Sequence, residues 1–215
     1  HKLMTHSNIV SDVSVSQTIY YQYFASSSWD KMVKIWKISD GRVFETQTLN
    51  LPDSVNSVFC GQNEYIAFGL SNGMVKIGKM SNGRLGEIQS LAVNDYSIMS
   101  VALSPNTRYL AAGSYDKTVK VWKIVGRQFE LKTALTDHTG PVLSIAFSPD
   151  GQYLASASSD KTVKFWRISE DQFALRKTLT EHSSSIQAIA FSPDGRYFAS
   201  ASSDGTIKIW KLKGI

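Results

Sequence analysis

The stretch ASASSDKTVKFW, Ala155–Trp166, sets a serine, an aspartate and a tryptophan at short spacings, and His138 lies a little upstream. Histidine, serine and aspartate are the side chains of a nucleophilic hydrolase. The stretch is not unique, however. ASASSDGTIKIW at Ala199–Trp210 repeats it 44 residues later, and AAGSYDKTVKVW at Ala111–Trp122 precedes it by the same 44. ASSSWDKMVKIW spans Ala25–Trp36, and a worn copy, AFGLSNGMVKIG, fills Ala67–Gly78. Five repeats with a period of 42 to 44 residues mean a solenoid, a propeller or an array. A catalytic centre does not recur at a fixed period, so the recurrence argues for building-block residues and against an enzyme.

Each repeat reads as four short strands. PVLSIAFS (Pro141–Ser148) is a nearly continuous apolar run, as a strand buried on both faces requires. Pro149–Gly151 is a turn in which proline presets one φ and glycine accepts a positive one. QYLASAS follows as a second strand, the Ser-Asp-Lys or Ser-Asp-Gly segment turns the chain, and TVKFWRI alternates as a third. SDGR at Ser39–Arg42 and SNGR at Ser81–Arg84 favour tight hairpins into a fourth strand of the type FALRKTL, Phe173–Leu179. Four antiparallel strands in 44 residues make one propeller blade. No segment has helical periodicity.

Composition agrees with a folded domain: 42% of the 215 residues are hydrophobic and 19% charged. No apolar run approaches the roughly 20 residues needed to cross a bilayer. The chain begins at His1 rather than methionine, so the lack of a visible signal segment excludes little. The single cysteine, Cys60, reads as a small, partly buried hydrophobe. A cytoplasmic address is compatible with it. No Cys/His cluster has zinc spacing, so no metal is expected. The net charge of +5 first suggests nucleic acid. Yet ten of the 23 basic residues fall in two repeat columns. These are Lys34, Lys76, Lys120, Lys164 and Lys208, then Lys37, Lys79, Lys123, Arg167 and Lys211, spread over the repeats rather than clustered.

The histidine, the apolar strand, SPDG, LASASSD and KTVKFW together resemble the WD40 repeat family of β-propellers. The resemblance covers essentially the whole chain; FSPDGRYFASASSDGTIKIW is highly specific, and repeat 2 is degenerate. The Trp-Asp dipeptide never appears, because its second position is the lysine or arginine of the second basic column. The resemblance implies an all-β propeller of five four-stranded blades in one domain, residues 1–215. The blades fall at about 6–49, 50–91, 92–135, 136–179, and 180–215 joined by 1–5. HKLMTHS at the start aligns with RKTLTEHS (Arg176–Ser183), so the N-terminal strand is expected to pair with the last blade and close the ring. The alternatives are a five-blade piece of a larger propeller, or an arc completed by another chain.

The resemblance also implies a hydrogen-bonded tetrad in each intact blade. By position these are His6, Ser26, Asp30 and Trp36; His138, Ser156, Asp160 and Trp166; and His182, Ser200, Asp204 and Trp210. Repeat 3 keeps Asp116 and Trp122 but has Ala112 for the serine and Asn94 for the histidine. Repeat 2 has Phe68, Asn72 and Gly78 at three of the positions. The tetrads read as structural clamps.

The implied function is a non-catalytic protein–protein interaction scaffold. The partner is expected on the face made by strand 2–3 turns and inter-blade links, where Trp29, Tyr96 and Tyr115 lie. One alternative is a nucleic acid or other polyanion on the opposite, basic face, near Arg42, Arg84, Arg108, Arg127 and Arg196. Another is a regulatory or sensor domain of a larger signalling protein, as in bacterial tandem arrays. No cofactor, membrane or small-molecule substrate is expected.

Overall fold

Short runs of β-branched and aromatic residues, each ended by a polar turn, pair locally into sheets. The computed structural model describes residues 5–16, 22–61, 64–81 and 83–212. Blade 1 is β1 (Val10–Val15), β2 (Gln22–Ser28), β3 (Met32–Ser39) and β4 (Arg42–Asn50). Blade 2 is β5 (Val55–Cys60), β6 (Tyr65–Leu70), β7 (Met74–Ser81) and β8 (Arg84–Ala92). Blade 3 is β9 (Ile98–Leu103), β10 (Tyr109–Ser114), β11 (Val119–Val125) and β12 (Gln128–Leu135). Blade 4 is β13 (Val142–Phe147), β14 (Tyr153–Ser158), β15 (Val163–Ser169) and β16 (Gln172–Leu179). Blade 5 is β17 (Ile186–Phe191), β18 (Tyr197–Ser202) and β19 (Ile207–Lys211). Each sheet is a meander in which consecutive strands are neighbours. Among the described residues there is no helix. The fold class is the all-β propeller, and the five sheets are its blades.

The expected pairing of residues 1–5 with the last blade rests on residues 1–4, which lie outside the described residues.

Two local devices recur. The residue after the tetrad aspartate position has a positive φ in every blade: Lys31, Gly73, Lys117, Lys161 and Gly205. That left-handed residue lets the strand 2–3 turn reverse within a few residues. A bulge also interrupts the strand 1–2 register at Val10/Asp12, Val55/Ser57, Val142/Ser144 and Ile186/Ala188. The bulge re-aims the next side chain toward the neighbouring blade. Asp12 Oδ2 thus accepts the Val58 N–H at 3.0 Å, Ser100 Oγ the Ile145 N–H at 3.2 Å, and Ser144 Oγ the Ile189 N–H at 3.3 Å.

The chain divides into two compact units, His1–Ile98 and Met99–Ile215. In the first, Ala25, Val33 and Ile35 of blade 1 and Val55, Val58, Cys60 and Phe68 of blade 2 form one buried cluster. In the second, Ala155, Val163 and Phe165 of blade 4 meet Ile186 and Phe198 of blade 5, with Phe165 and Phe198 edge to face at 4.9 Å. Aromatic pairs of this kind contribute about 0.5–1.5 kcal/mol beyond the area they bury.

Candidate functional site

The strand 2–3 turn is where the polar groups gather. In blade 4, Asp160 sits just past β14, with its own N–H held by Ser158 Oγ at 3.0 Å. Its Oδ1 accepts the Thr162 N–H at 2.9 Å and the Thr162 hydroxyl at 2.7 Å. Its Oδ2 accepts from His138 Nδ1 at 2.7 Å and from the Thr139 N–H at 3.0 Å. His138 Nε2 in turn lies 2.6 Å from Ser156 Oγ. Burial alone would raise the Asp160 pKa. The bonds from His138 and Thr162, the His138 charge and the Thr139 N–H outweigh it and hold the carboxyl well below the usual carboxylate range.

Blade 5 repeats the geometry, with His182 Nδ1 2.9 Å from Asp204 Oδ2 and His182 Nε2 2.7 Å from Ser200 Oγ. The Thr206 hydroxyl, then His182 and the Ser183 N–H, hold Asp204 low as well. In blade 1, His6 Nδ1 lies 2.9 Å from Asp30 Oδ2 and His6 Nε2 2.8 Å from Ser26 Oγ. There the Trp36 indole N–H completes the set by donating to Ser26 Oγ at 3.1 Å. The four groups satisfy one another when Trp36 donates to Ser26, Ser26 to His6 Nε2, and His6 Nδ1–H to Asp30. Blade 4 departs from this. The buried Trp166 indole N–H has no hydrogen-bond partner, although His138 meets the ring edge-on at 5.9 Å. A nucleophile must be reachable by its substrate, and Ser26, Ser156 and Ser200 are all buried.

Blade 2 replaces the polar set with packing. Phe68, at the serine position, is fully buried, and a Cβ on Gly78 would meet the Leu85 side chain at 2.9 Å. Leu85 therefore occupies space that the indole takes elsewhere. In blade 3, Asp116 Oδ1 still accepts the N–H and hydroxyl of Thr118, at 2.9 and 2.7 Å. Asn94 Oδ1 caps the Tyr96 N–H at 2.9 Å.

The three aromatics singled out from the sequence are exposed: Trp29 46%, Tyr96 56% and Tyr115 55%. Their backbones are nonetheless fixed where the hydrogen bonds are described. In the first unit the Trp29 N–H donates to Ile9 O at 3.0 Å, and Ser54 Oγ donates to Trp29 O at 3.2 Å. Tyr96 follows Asn94, whose carbonyl stands 1.8 Å from where a Cβ on Gly73 would fall. Tyr115 stands at the β10–β11 turn of the second unit. A hydrogen-bonded backbone under an exposed aromatic ring, as at Trp29 and Tyr96, suits a binding surface, because little ordering entropy is lost on association.

One residue escaped the sequence reading. Asp171 occupies the β15–β16 hairpin, where both Glu170 and Asp171 have positive φ. It accepts from the Tyr109 hydroxyl and binds Lys123 Nζ at 2.6 Å and Arg108 at 2.9 Å, all from blade 3. The Lys123 bond, then the Tyr109 bond and the Arg108 charge, lower its pKa to about 2. Burial, then the bond to Asp171, pushes the Tyr109 hydroxyl up to about 12. The only hint in the sequence is Glu-Asp in a turn that elsewhere carries Asp40-Gly41. Also in the second unit, a cleft of about 380 Å³ is lined by Ser148, Asp150, Tyr153, Phe191, Asp194 and Leu212. Its carboxylates cap their own turns, Asp150 on the Gln152 N–H and Asp194 on the Arg196 N–H, each at 3.0 Å. Among the described residues no three His, Cys, Asp or Glu side chains converge as a metal site would require. No helix among them is long and apolar enough to cross a membrane.

A family model described as WD domain, G-beta repeat, matches residues 1–37, 86–123, 129–167 and 173–211. The unmatched stretch 38–85 holds β5, β6 and β7 of the polar-depleted blade 2, whereas most of β8 falls within the matched 86–123. No curated protein matches the chain.

Proposed function

The chain belongs to the WD40 repeat family, and we propose from that premise that it holds a protein partner on its strand 2–3 turns and inter-blade links. WD40 propellers are generally protein-interaction scaffolds and are typically non-catalytic. The observation that carries the finer reading is the exposure of Trp29, Tyr96 and Tyr115 in turns and links just outside the strands. Large aromatics are among the residue types that dominate interface energies. The His–Ser–Asp sets underneath serve as clamps that keep those turns in place.

Affinity capture with the purified chain tests this reading. The proteins retained by wild type are expected to be lost with Trp29→Ala/Tyr96→Ala and weakened by Tyr115→Ala. Phe44→Ala removes an exposed aromatic from the outer strand β4 and should retain them. Loss with Phe44→Ala instead, or retention by all variants, overturns the assignment.

The polyanion alternative draws less support. In the second unit Arg108 and Lys123 both direct their charge to Asp171, and Arg196 stands 3.7 Å from Asp194. In the first, Lys34 pairs with Glu45 at 2.9 Å. Heparin retention that falls steeply with salt would favour the alternative.

A further inference from the structure

At the end of the strands away from the strand 2–3 turns, blade 3 gathers three donors around one carboxylate. Arg108 ends the β9–β10 turn, Tyr109 opens β10, and Lys123 stands opposite Tyr109 on β11. The Tyr109 hydroxyl, Arg108 at 2.9 Å and Lys123 Nζ at 2.6 Å all meet Asp171 of blade 4. Every one of these residues lies inside the second unit. The blade 3 side is firmly built. Ser104 Oγ accepts the Tyr109 N–H at 2.9 Å, Asn106 Oδ1 accepts the Arg108 N–H at 3.0 Å, and Arg108 O accepts the Ile124 N–H at 2.8 Å. The Arg108 guanidinium lies 5.7 Å from the centre of the Tyr109 ring, and Phe173 meets that ring edge-on at 5.2 Å.

The charges at this point do not balance. Two cations face one carboxylate, which leaves one positive charge over. Glu130, opposite Lys123 across β11–β12, and Glu170, next to Asp171, make no ion pair with either cation among the described residues. A tetrahedral dianion supplies the missing charge. It also offers an oxygen to each donor: the guanidinium fork, the lysine point charge and the tyrosine hydroxyl. The Arg108 side chain is 52% exposed, so the cluster is reachable from solvent.

The carboxylate that now fills the cluster sits on the more yielding side. Glu170 and Asp171 have φ of 50° and 62°. The β3–β4 hairpin places Asp40 and Gly41 at these positions, with glycine at the second. A residue with a Cβ pays a penalty in the left-handed region that glycine does not. The contacts from blade 3 hold the 170–171 turn against that penalty.

We infer that Arg108, Lys123 and the Tyr109 hydroxyl form a binding site for a phosphoryl dianion, which Asp171 occupies as an internal carboxylate and yields to the dianion by movement of its hairpin. The site is separate from the strand 2–3 turns and does not depend on what they hold.

Proton–nitrogen NMR of the full chain, titrated with inorganic phosphate at fixed ionic strength, provides the test. The Tyr109, Lys123, Glu170 and Asp171 amide signals should shift along one saturable curve. Nitrate, a monoanion, should leave them in place. A phosphoserine amide titrated in the same way separates the two sources of the group. Tighter binding of the amide assigns a phosphorylated side chain, and tighter binding of phosphate assigns the free ion. Asp171→Asn removes the competing charge and should tighten phosphate binding about tenfold, the worth of one charge-assisted contact. Arg108→Gln/Lys123→Gln should abolish saturation, whereas Lys117→Gln/Lys161→Gln, with the same loss of charge at exposed turns, should preserve it. Linear shifts, equal shifts with nitrate, no gain with Asp171→Asn, saturation that survives Arg108→Gln/Lys123→Gln, or its loss with both pairs overturns the inference.

Discussion

Asp160 Oδ2 and His138 Nδ1 meet at 2.7 Å, and both side chains are almost sealed from solvent. A carboxylate in that position is stable only because four donors converge on it. Asp160→Ala removes the acceptor and leaves His138 Nδ1–H and the Thr162 N–H without it. An unsatisfied buried donor costs about 1–3 kcal/mol, so the loss of stability should be about 3 kcal/mol. The expected readout is a melting temperature lower by several degrees, with Asp160→Asn intermediate. Asp137→Ala, an exposed aspartate nearby, should change it little.

The same carboxylates set the acid limit of the fold. Asp30, Asp160 and Asp204 are held below the usual carboxylate range, and Asp171 is held at about 2. In the unfolded chain these groups take up protons near their ordinary pKa of about 3.9, while the native state still holds them ionised. Their contribution is therefore complete above roughly pH 4–5 and is lost as pH falls through the depressed native values. Unfolding midpoints measured against pH should drop steeply over that acid interval. Asp160→Asn should flatten the drop; an unchanged acid slope would contradict the assignment.

The indoles of blades 1 and 4 differ in their partners. Trp36 donates to Ser26, whereas the Trp166 N–H is buried without a partner. Phenylalanine removes a donor in both cases and leaves a similar gap. Only Trp36→Phe also breaks a hydrogen bond, so it should cost about 1 kcal/mol more than Trp166→Phe in denaturant unfolding. Equal costs would mean that the bond in blade 1 contributes nothing.

Gly73 and Gly205 occupy the same turn position, both with positive φ. A methyl group on Gly205 meets nothing within 4 Å, whereas one on Gly73 would lie 1.8 Å from Asn94 O. Gly205→Ala should therefore cost about 1 kcal/mol, the backbone penalty alone. Gly73→Ala must also displace the link that carries Tyr96, and chemical denaturation should show it clearly more damaging.

Asp171 neutralises Arg108 and Lys123. Asp171→Ala should release both cations and raise the salt needed to elute the chain from heparin. No change in elution would show that those two side chains stay turned away from the surface.

The architecture was legible because repetition amplifies a weak strand signal. Trp36, Trp122, Trp166 and Trp210 mark the period, and the MVKIG run at Met74–Gly78 keeps it where the tryptophan is missing. The proximity of His138 to Asp160 was implied by the resemblance to the WD40 family, carried over position by position onto the repeat. Other features depend on what the fold places beside a residue. Asp171 reaches Tyr109 across 62 positions of sequence, and nothing local to the hairpin names that partner. Leu85 fills the space left by Gly78 from a strand whose own pattern is ordinary.

Cys60, the sole thiol of the chain, lies buried in the seam between blades 1 and 2. Its N–H is held by Ser14 Oγ at 2.9 Å, and its Sγ stands 3.3 Å from Ser14 O. Burial pushes the thiol pKa up to about 12, so neither access nor ionisation permits reaction while the seam is shut. The molecule thus carries its own clock. The rate at which a thiol reagent consumes Cys60 under native conditions reads the opening of that one seam, separately from unfolding of the whole chain.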